Sequence, residues 1–392
     1  MQALWGNLSL EEEDDKMSRN KKKNDPFRTL IRGAAILAAA AAVCALIFFG
    51  LNAVEGRVLD QRIKDTQTLN QNREQQYNAA LAEYQSATQK GQNINWPEAK
   101  KEGWDILDLS TYAIDNAKTD QVDRKTLLTS GLMLINQWHA LPTDYYEHLA
   151  DAKSVMTESG KTVAAADGNV MLFTPAIRAL ESMFKDAASA GLNNVFVAAG
   201  LRTLERQTEM FENKKAQLEN SFSGDMLIEK TKEQVNAPGT SDYHSGFSFD
   251  LSLYPNPNQL SFQNTDQGKW VTENSWRYGI IFRFPTQDFP NSSWVDKSYK
   301  TGVSTKLNLY RWVGTPHAAV MKQLDLCLEE YIEYLMAHPH LAVYENGDLK
   351  YEIYRQPATN AEVETIQVPL AATSYITSLD NMGGIVTAFF FD

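Results

Sequence analysis

From Gly33 to Val54 the chain carries no charged residue, and the run includes Ile36, Leu37, Val43, Leu46, Ile47, Phe48, Phe49 and Leu51. Twenty-two residues at about 1.5 Å each reach about 33 Å, enough to cross a hydrocarbon core of about 30 Å. A buried core helix of that length would show a polar face, and this run has none. Arg19, Lys21, Lys22, Lys23, Arg28 and Arg32 precede it, whereas Glu55, Arg57 and Asp60 follow. The excess of positive charge on the leading side keeps the N-terminus cytoplasmic and sends the remainder outward. The leading segment is long and no small-x-small site follows, which disfavours a cleaved signal peptide. Val43 before Cys44 gives no lipid-attachment box. The expectation is a single-pass protein of the cell membrane with an extracytoplasmic C-terminal part: 1–32 a cytoplasmic tail and 33–54 the transmembrane helix.

Beyond the run, residues 57 to about 95 are rich in Gln, Asn, Lys and Glu. Tyr77, Leu81 and Tyr84 recur there at helical spacing. This predicts a solvated helical stalk over 55–125, with self-association as a possible use. A second helical stretch is expected over Asp120 to Trp138. Thr174 and Pro175 open a helix whose apolar face is Ile177, Leu180, Met183, Phe184 and Ala187, closed by Gly191. Strands are expected at Asn194–Ala199, Phe247–Tyr254, Gly279–Phe284 and Leu309–Val313. One further helix from Thr315 would turn Val320, Leu324, Cys327, Leu328, Tyr331, Ile332 and Leu335 inward. The last stretch, 341–392, reads as a β-rich extension. Helices first and strands later give an α+β class, with 126–340 as the central domain.

Composition removes some classes of function. The net charge of -12 argues against a nucleic-acid binder, which needs a basic face. Two cysteines, Cys44 and Cys327, provide neither a disulfide framework nor a Cys-based zinc site.

The chemistry concentrates in Pro238–Leu251, PGTSDYHSGFSFDL. His nitrogen and carboxylate oxygen suit zinc, so His244 and Asp250 are the candidate metal ligands. The segment resembles the signature of the VanY-type D-alanyl-D-alanine carboxypeptidases, zinc peptidases whose pattern is Ser-x-His-x-x-Gly-x-Ala-x-Asp. Four other blocks are similar in order and spacing: NQWHALPTDY from Asn136, AGLRTLERQTEMF from Ala199, ENSWRYGIIFRF from Glu273 and YRWVGTPHA from Tyr310. Together they span residues 130 to 336. The resemblance implies a VanY/DD-peptidase-like fold, a bacterial cell-envelope setting and substrate-binding roles for Arg202, Thr203, Gln207 and Ser241.

The departures concern the metal. With Ser241, Gly246 and Asp250 in register, the family's zinc histidine falls on Tyr243, and His244 is one place late. The family's catalytic Glu falls on Lys306, and its second zinc histidine on Leu309. A cation cannot act as the base at that position, and Leu309 offers no lone pair. The expectation is a protein of this family without zinc that recognises peptidoglycan stem peptides or an envelope partner. Two alternatives stand beside it: an active metallo D,D-carboxypeptidase with zinc on a displaced site, and a structural cell-envelope assembly domain.

Overall fold

Arg283, directly after one apolar strand, and Arg311, on another, are wholly buried, and the architecture is arranged around them. The computed structural model describes residues 103–114, 117–149, 156–255, 262–303 and 306–391, all within the unit Asp65–Asp392. The run at 33–54 and the expected stalk up to residue 102 lie outside them. Among the described residues no helix is long and apolar enough to cross a membrane.

The described chain opens with strands β1 (Trp104–Asp108) and β2 (Ala117–Asp123), a short helix α1 (Arg124–Leu128) and a single turn α2 (Tyr145–His148). The helical readings of 103–125 and of Asp120–Trp138 are thereby corrected. β2 is polar, and Val122 alone on it is fully buried, so its sequence looks like a solvated helix. It is a strand because seven of its residues pair with strand β11, described below, and tertiary pairing outweighs local propensity. Asp123 ends it by accepting a hydrogen bond from Thr126 N (2.7 Å), which starts α1.

Strands β3 (Met156–Glu158) and β4 (Met171–Phe173) form a small hairpin leading into α3 (Thr174–Ser189). There Pro175 occupies the first turn, and of the expected face Ile177, Leu180, Met183 and Ala187 are buried while Phe184 is half-buried. β5 (Val195–Ala199) follows, then α4 (Leu204–Leu218) and α5 (Gly224–Lys232). β6 (Ser248–Leu253), α6 (Asp266–Asn274), β7 (Ile280–Phe282), the short α7 (Ser298–Thr301) and β8 (Leu309–Trp312) complete the central part. Its antiparallel sheet runs β5-β6-β8-β7. Alternation gives that sheet two faces. Val197, Phe249, Leu251, Phe282 and Tyr310 pack with α3 in one core, while Ser248, Asp250, Leu309, Arg311 and Arg283 lie on the other side.

The single helix expected from Thr315 is two: α8 (Thr315–Leu324) and α9 (Leu328–Ala337). Asp325 adopts a left-handed conformation (φ 52°) and stops the first. Cys327 caps the second, with the Glu330 side chain reaching back to the cap's N–H at 3.1 Å. The remaining strands are β9 (His340–Glu345), β10 (Asp348–Pro357), β11 (Val363–Pro369), β12 (Ser374–Leu379) and β13 (Gly384–Phe390). A second sheet runs β1-β9-β10-β13-β12. Its apolar face packs on α8 and α9 through Ile106, Leu341, Val343, Ile353, Val386 and Ala388.

Candidate functional site

The site grows from one turn. Residues Asp242–Ser245 form a 3-10 helix between Ser241 and the left-handed Gly246 (φ 70°). An extended backbone would alternate its side chains between two faces; a 3-10 turn rotates each about 120° from the last. Asp242, Tyr243 and His244 therefore leave in three directions, and their partners show where.

Asp242 points inward, 4% exposed. Its Oδ1 accepts from Arg283 Nε (3.0 Å) and Arg311 Nη1 (2.8 Å), and its Oδ2 from the Ser248 hydroxyl. Burial pushes this carboxyl up, but the two guanidinium groups and the hydroxyl outweigh it and hold it below the usual carboxylate range. Arg283 also grips Glu329 with two nitrogens (2.8 and 2.9 Å), and Glu329 accepts from Asn136 Nδ2 (3.0 Å). Arg311 donates as well to the carbonyls of Gly131 and Met133. This buried network ties the turn to β7, β8, α9 and the segment before α2.

Tyr243 points across to β6. Its hydroxyl donates to Asp250 Oδ1 at 2.5 Å. Burial and the neighbouring Asp250 carboxylate push the phenol well above its usual range, so it stays a neutral donor. The other oxygen, Oδ2, accepts from Lys306 Nζ at 2.7 Å. Asp250 faces Ala199 on β5 and Leu309 on β8 in the strand register. Tyr243, Leu309 and Phe284 form a small apolar cluster with Ala199 and Val303 against it. The three positions that resemble the family's ligand set, Tyr243, Asp250 and Leu309, are thus brought together.

His244 is not brought to Asp250. Its Nδ1 lies 2.7 Å from the Arg202 carbonyl, and its Nε2 accepts from Gly239 N at 3.2 Å. This is the neutral tautomer with hydrogen on Nδ1, and burial pushes the imidazole down in agreement. Both ring nitrogens are engaged, so the expectation of His244 as a metal ligand beside Asp250 is corrected. The reason is the 3-10 turn, which aims this ring at backbone. The other histidines are engaged too: His139 with Asn136, His148 with Asp144, His317 with Tyr331, His338 with Asp108 and His340 with Glu352. Among the described residues no group of three or more His, Cys, Asp or Glu side chains is placed to hold a metal ion.

Arg202 follows β5 and is half-buried. Its Nη1 donates to Gln207 Oε1 (3.0 Å), and its guanidinium carbon stands 4.0 Å from the centre of the Tyr243 ring. Gln207 is fully buried and donates to Asn236 O (2.5 Å), so it positions Arg202. Thr203 caps α4, accepting from Arg206 N at 3.2 Å. Ser241 is 2% exposed, and its carbonyl accepts from His244 N. Of the four expected ligand-binding side chains, Arg202 and Thr203 reach the surface, whereas Gln207 and Ser241 act from behind. Asp242 and Arg283 were missed by sequence reasoning. A charged residue in the apolar run IIFRF, and an acid five residues before the apolar strand FSFDL, were the available signals, since neither can be buried unpaired.

The VanY family, D-alanyl-D-alanine carboxypeptidase, matches residues 169–298. A D-alanyl-D-alanine carboxypeptidase of Enterococcus faecium is 26% identical over 276 residues, covering 70% of this chain and 80% of that protein. One from Enterococcus faecalis (strain ATCC 700802 / V583) is 28% identical over 203 residues, covering 52% of this chain and 65% of that protein. The crystal structure of the vancomycin resistance D,D-dipeptidase VanXYg, in complex with a D-Ala-D-Ala phosphinate analog, superposes with a TM-score of 0.52 at 20% identity. It covers 70% of this chain and 99% of its own, a likeness of fold. The mixed α/β fold is VanY/DD-peptidase-like. The matched domain and these relatives support a VanY-type D-alanyl-D-alanine carboxypeptidase family domain in this chain.

Proposed function

We propose that this protein recognises peptides ending in D-alanyl-D-alanine, the chemistry of peptidoglycan stem peptides, and holds them without hydrolysis. The observation that carries this reading is Arg202. Its partners are the neutral Gln207 amide and the Tyr243 ring, and among the described residues it makes no ion pair. A half-buried guanidinium with neutral partners keeps its charge for a ligand, and a peptide's terminal carboxylate matches its fork. The names of the relatives support the ligand class.

The residues present do not fit zinc, the metal that the family resemblance implies. A catalytic zinc site takes three protein ligands and leaves one position open. Here the Tyr243 hydroxyl stays protonated and donates a hydrogen bond to Asp250, and Leu309 has no lone pair. The Lys306 ammonium stands on Asp250 and cannot accept a proton. No reaction step is therefore assigned. The same reading places the domain outside the cell membrane, anchored through 33–54; tag accessibility to protease on intact cells tests this, and a protected C-terminus overturns it.

The binding test is titration of the full-length protein with an N-acylated D-Ala-D-Ala peptide in the presence of chelator. Binding is expected, with Arg202→Ala weakening it about tenfold or more and no free D-alanine released. Release of D-alanine that chelator abolishes would establish the metallo-carboxypeptidase instead. A wild type that ignores the peptide would leave a role in envelope assembly.

A further inference from the structure

Both carboxylate oxygens of Asp250 are engaged by side-chain donors. Oδ1 accepts from the Tyr243 hydroxyl at 2.5 Å and Oδ2 from Lys306 Nζ at 2.7 Å. The strand frame around it is nonetheless in place: after a register shift between Val197 and Ala199, Ala199, Asp250 and Leu309 stand opposite one another across β5, β6 and β8. Directly opposed residues of antiparallel strands share a face, so Leu309 and Asp250 point to the same side, where Tyr243 meets both.

We infer that Lys306 has taken the place of a metal ion in this frame: its ammonium neutralises Asp250 and presents positive charge to the bound peptide. The inference deepens the recognition reading and rests on it for the identity of the ligand. Three features support it. Lys306 carries three N–H donors and spends one on Asp250, which leaves two for a ligand's carbonyl or carboxylate oxygen. Its side chain is 32% exposed against 11% for Asp250, so the open side of the pair is the ammonium. The ring of Tyr243 is shared by two cations, Lys306 Nζ at 5.5 Å and Arg202 Cζ at 4.0 Å from its centre. Two cations and one carboxylate leave one net positive charge among these three groups, the complement of a peptide with one terminal carboxylate. The Leu309 and Phe284 side chains close the apolar wall beside it, where the pair is less screened than in water.

Two measurements on the full-length protein test this. In chelator, Lys306→Gln is expected to bind N-acetyl-D-Ala-D-Ala about tenfold more weakly than wild type, the loss of one charge-assisted hydrogen bond, and Lys306→Arg to restore most of the affinity. Undiminished binding by Lys306→Gln overturns the inference. The second is a ligand exchange: Tyr243→His, Lys306→Glu and Leu309→His together. If the ion pair sits where a metal would, this variant folds and takes up one zinc per chain by elemental analysis, and chelator lowers its melting temperature but not that of wild type. A variant that fails to fold in zinc, or holds no more zinc than wild type, overturns the inference. A wild type that does not bind the peptide at all sinks the recognition reading, and the zinc measurement then decides this one alone.

Discussion

Asp242 shows how much one side chain decides. It is the common acceptor of two buried arginines, and removing its charge leaves Arg311 with carbonyl partners alone and Arg283 with Glu329 alone. Breaking a buried ion pair from one side costs about 3–5 kcal/mol. Asp242→Asn, nearly isosteric, should lose about that much in urea denaturation at pH 7; a loss under about 1 kcal/mol would show the network to be passive. The sign with pH follows from the depressed carboxyl. Its contribution is present above the unfolded value of about 4 and is lost as pH falls through the folded one, so wild type and variant should converge in acid. At this scale the sequence was half legible. Tyr243, Lys306 and Leu309 could be read as departures from a zinc set from their chemical types. That His244 is engaged by backbone could not, because it depends on a 3-10 turn whose partners, the Arg202 carbonyl and Gly239 N–H, come from other segments.

Elements that carry their own signals were legible, and those defined by distant partners were not. α3 announced itself by Thr174, Pro175 and an apolar stripe, whereas β1 and β2 are strands because β9 and β11 lie beside them. The turn at Gly246 combines both. Its φ of 70° favours glycine, and a Cβ there would stand 2.7 Å from the Phe173 ring. Gly246→Ala should therefore cost about 2–4 kcal/mol, from left-handed strain and overpacking together. It should also weaken peptide binding, since the turn sets Tyr243. A variant with unchanged melting temperature would contradict the packing seen here. β9 supplies a test of opposite sign. Burial alone would lower His340, but Glu352 (2.5 Å from Nε2) and the Tyr112 carbonyl (3.0 Å from Nδ1) prevail and raise it. A raised histidine stabilises below its unfolded value and loses that contribution as pH rises through the folded one. His340→Gln should then lower the melting temperature more at pH 5.5 than at pH 9; an equal drop at both would mean that the pair is not charged.

At the scale of the described molecule, the C-terminal strands belong to the fold that holds the site. Residues 341–392 read in sequence as an extension because their strands follow the last block that resembles the family. In the structure β9 is the strand that pairs with β1, and Leu341, Val343, Ile353 and Val386 share one core with Leu132, Trp276 and Val313. Val313 directly follows β8, the strand that carries Leu309 and Arg311. Full burial of four such side chains contributes about 1.5–3 kcal/mol each, about 6–12 in all. That is comparable to the whole net stability of a domain, about 5–15 kcal/mol. A chain ending at Pro339 would also leave β1 without its partner and the inner faces of α8 and α9 in water. It should give no cooperative thermal transition and be digested rapidly by protease under conditions where the full chain resists. A truncated protein that melts cooperatively and still binds the peptide would show that the strands are an appendage, and that the frame around Asp250 stands without them.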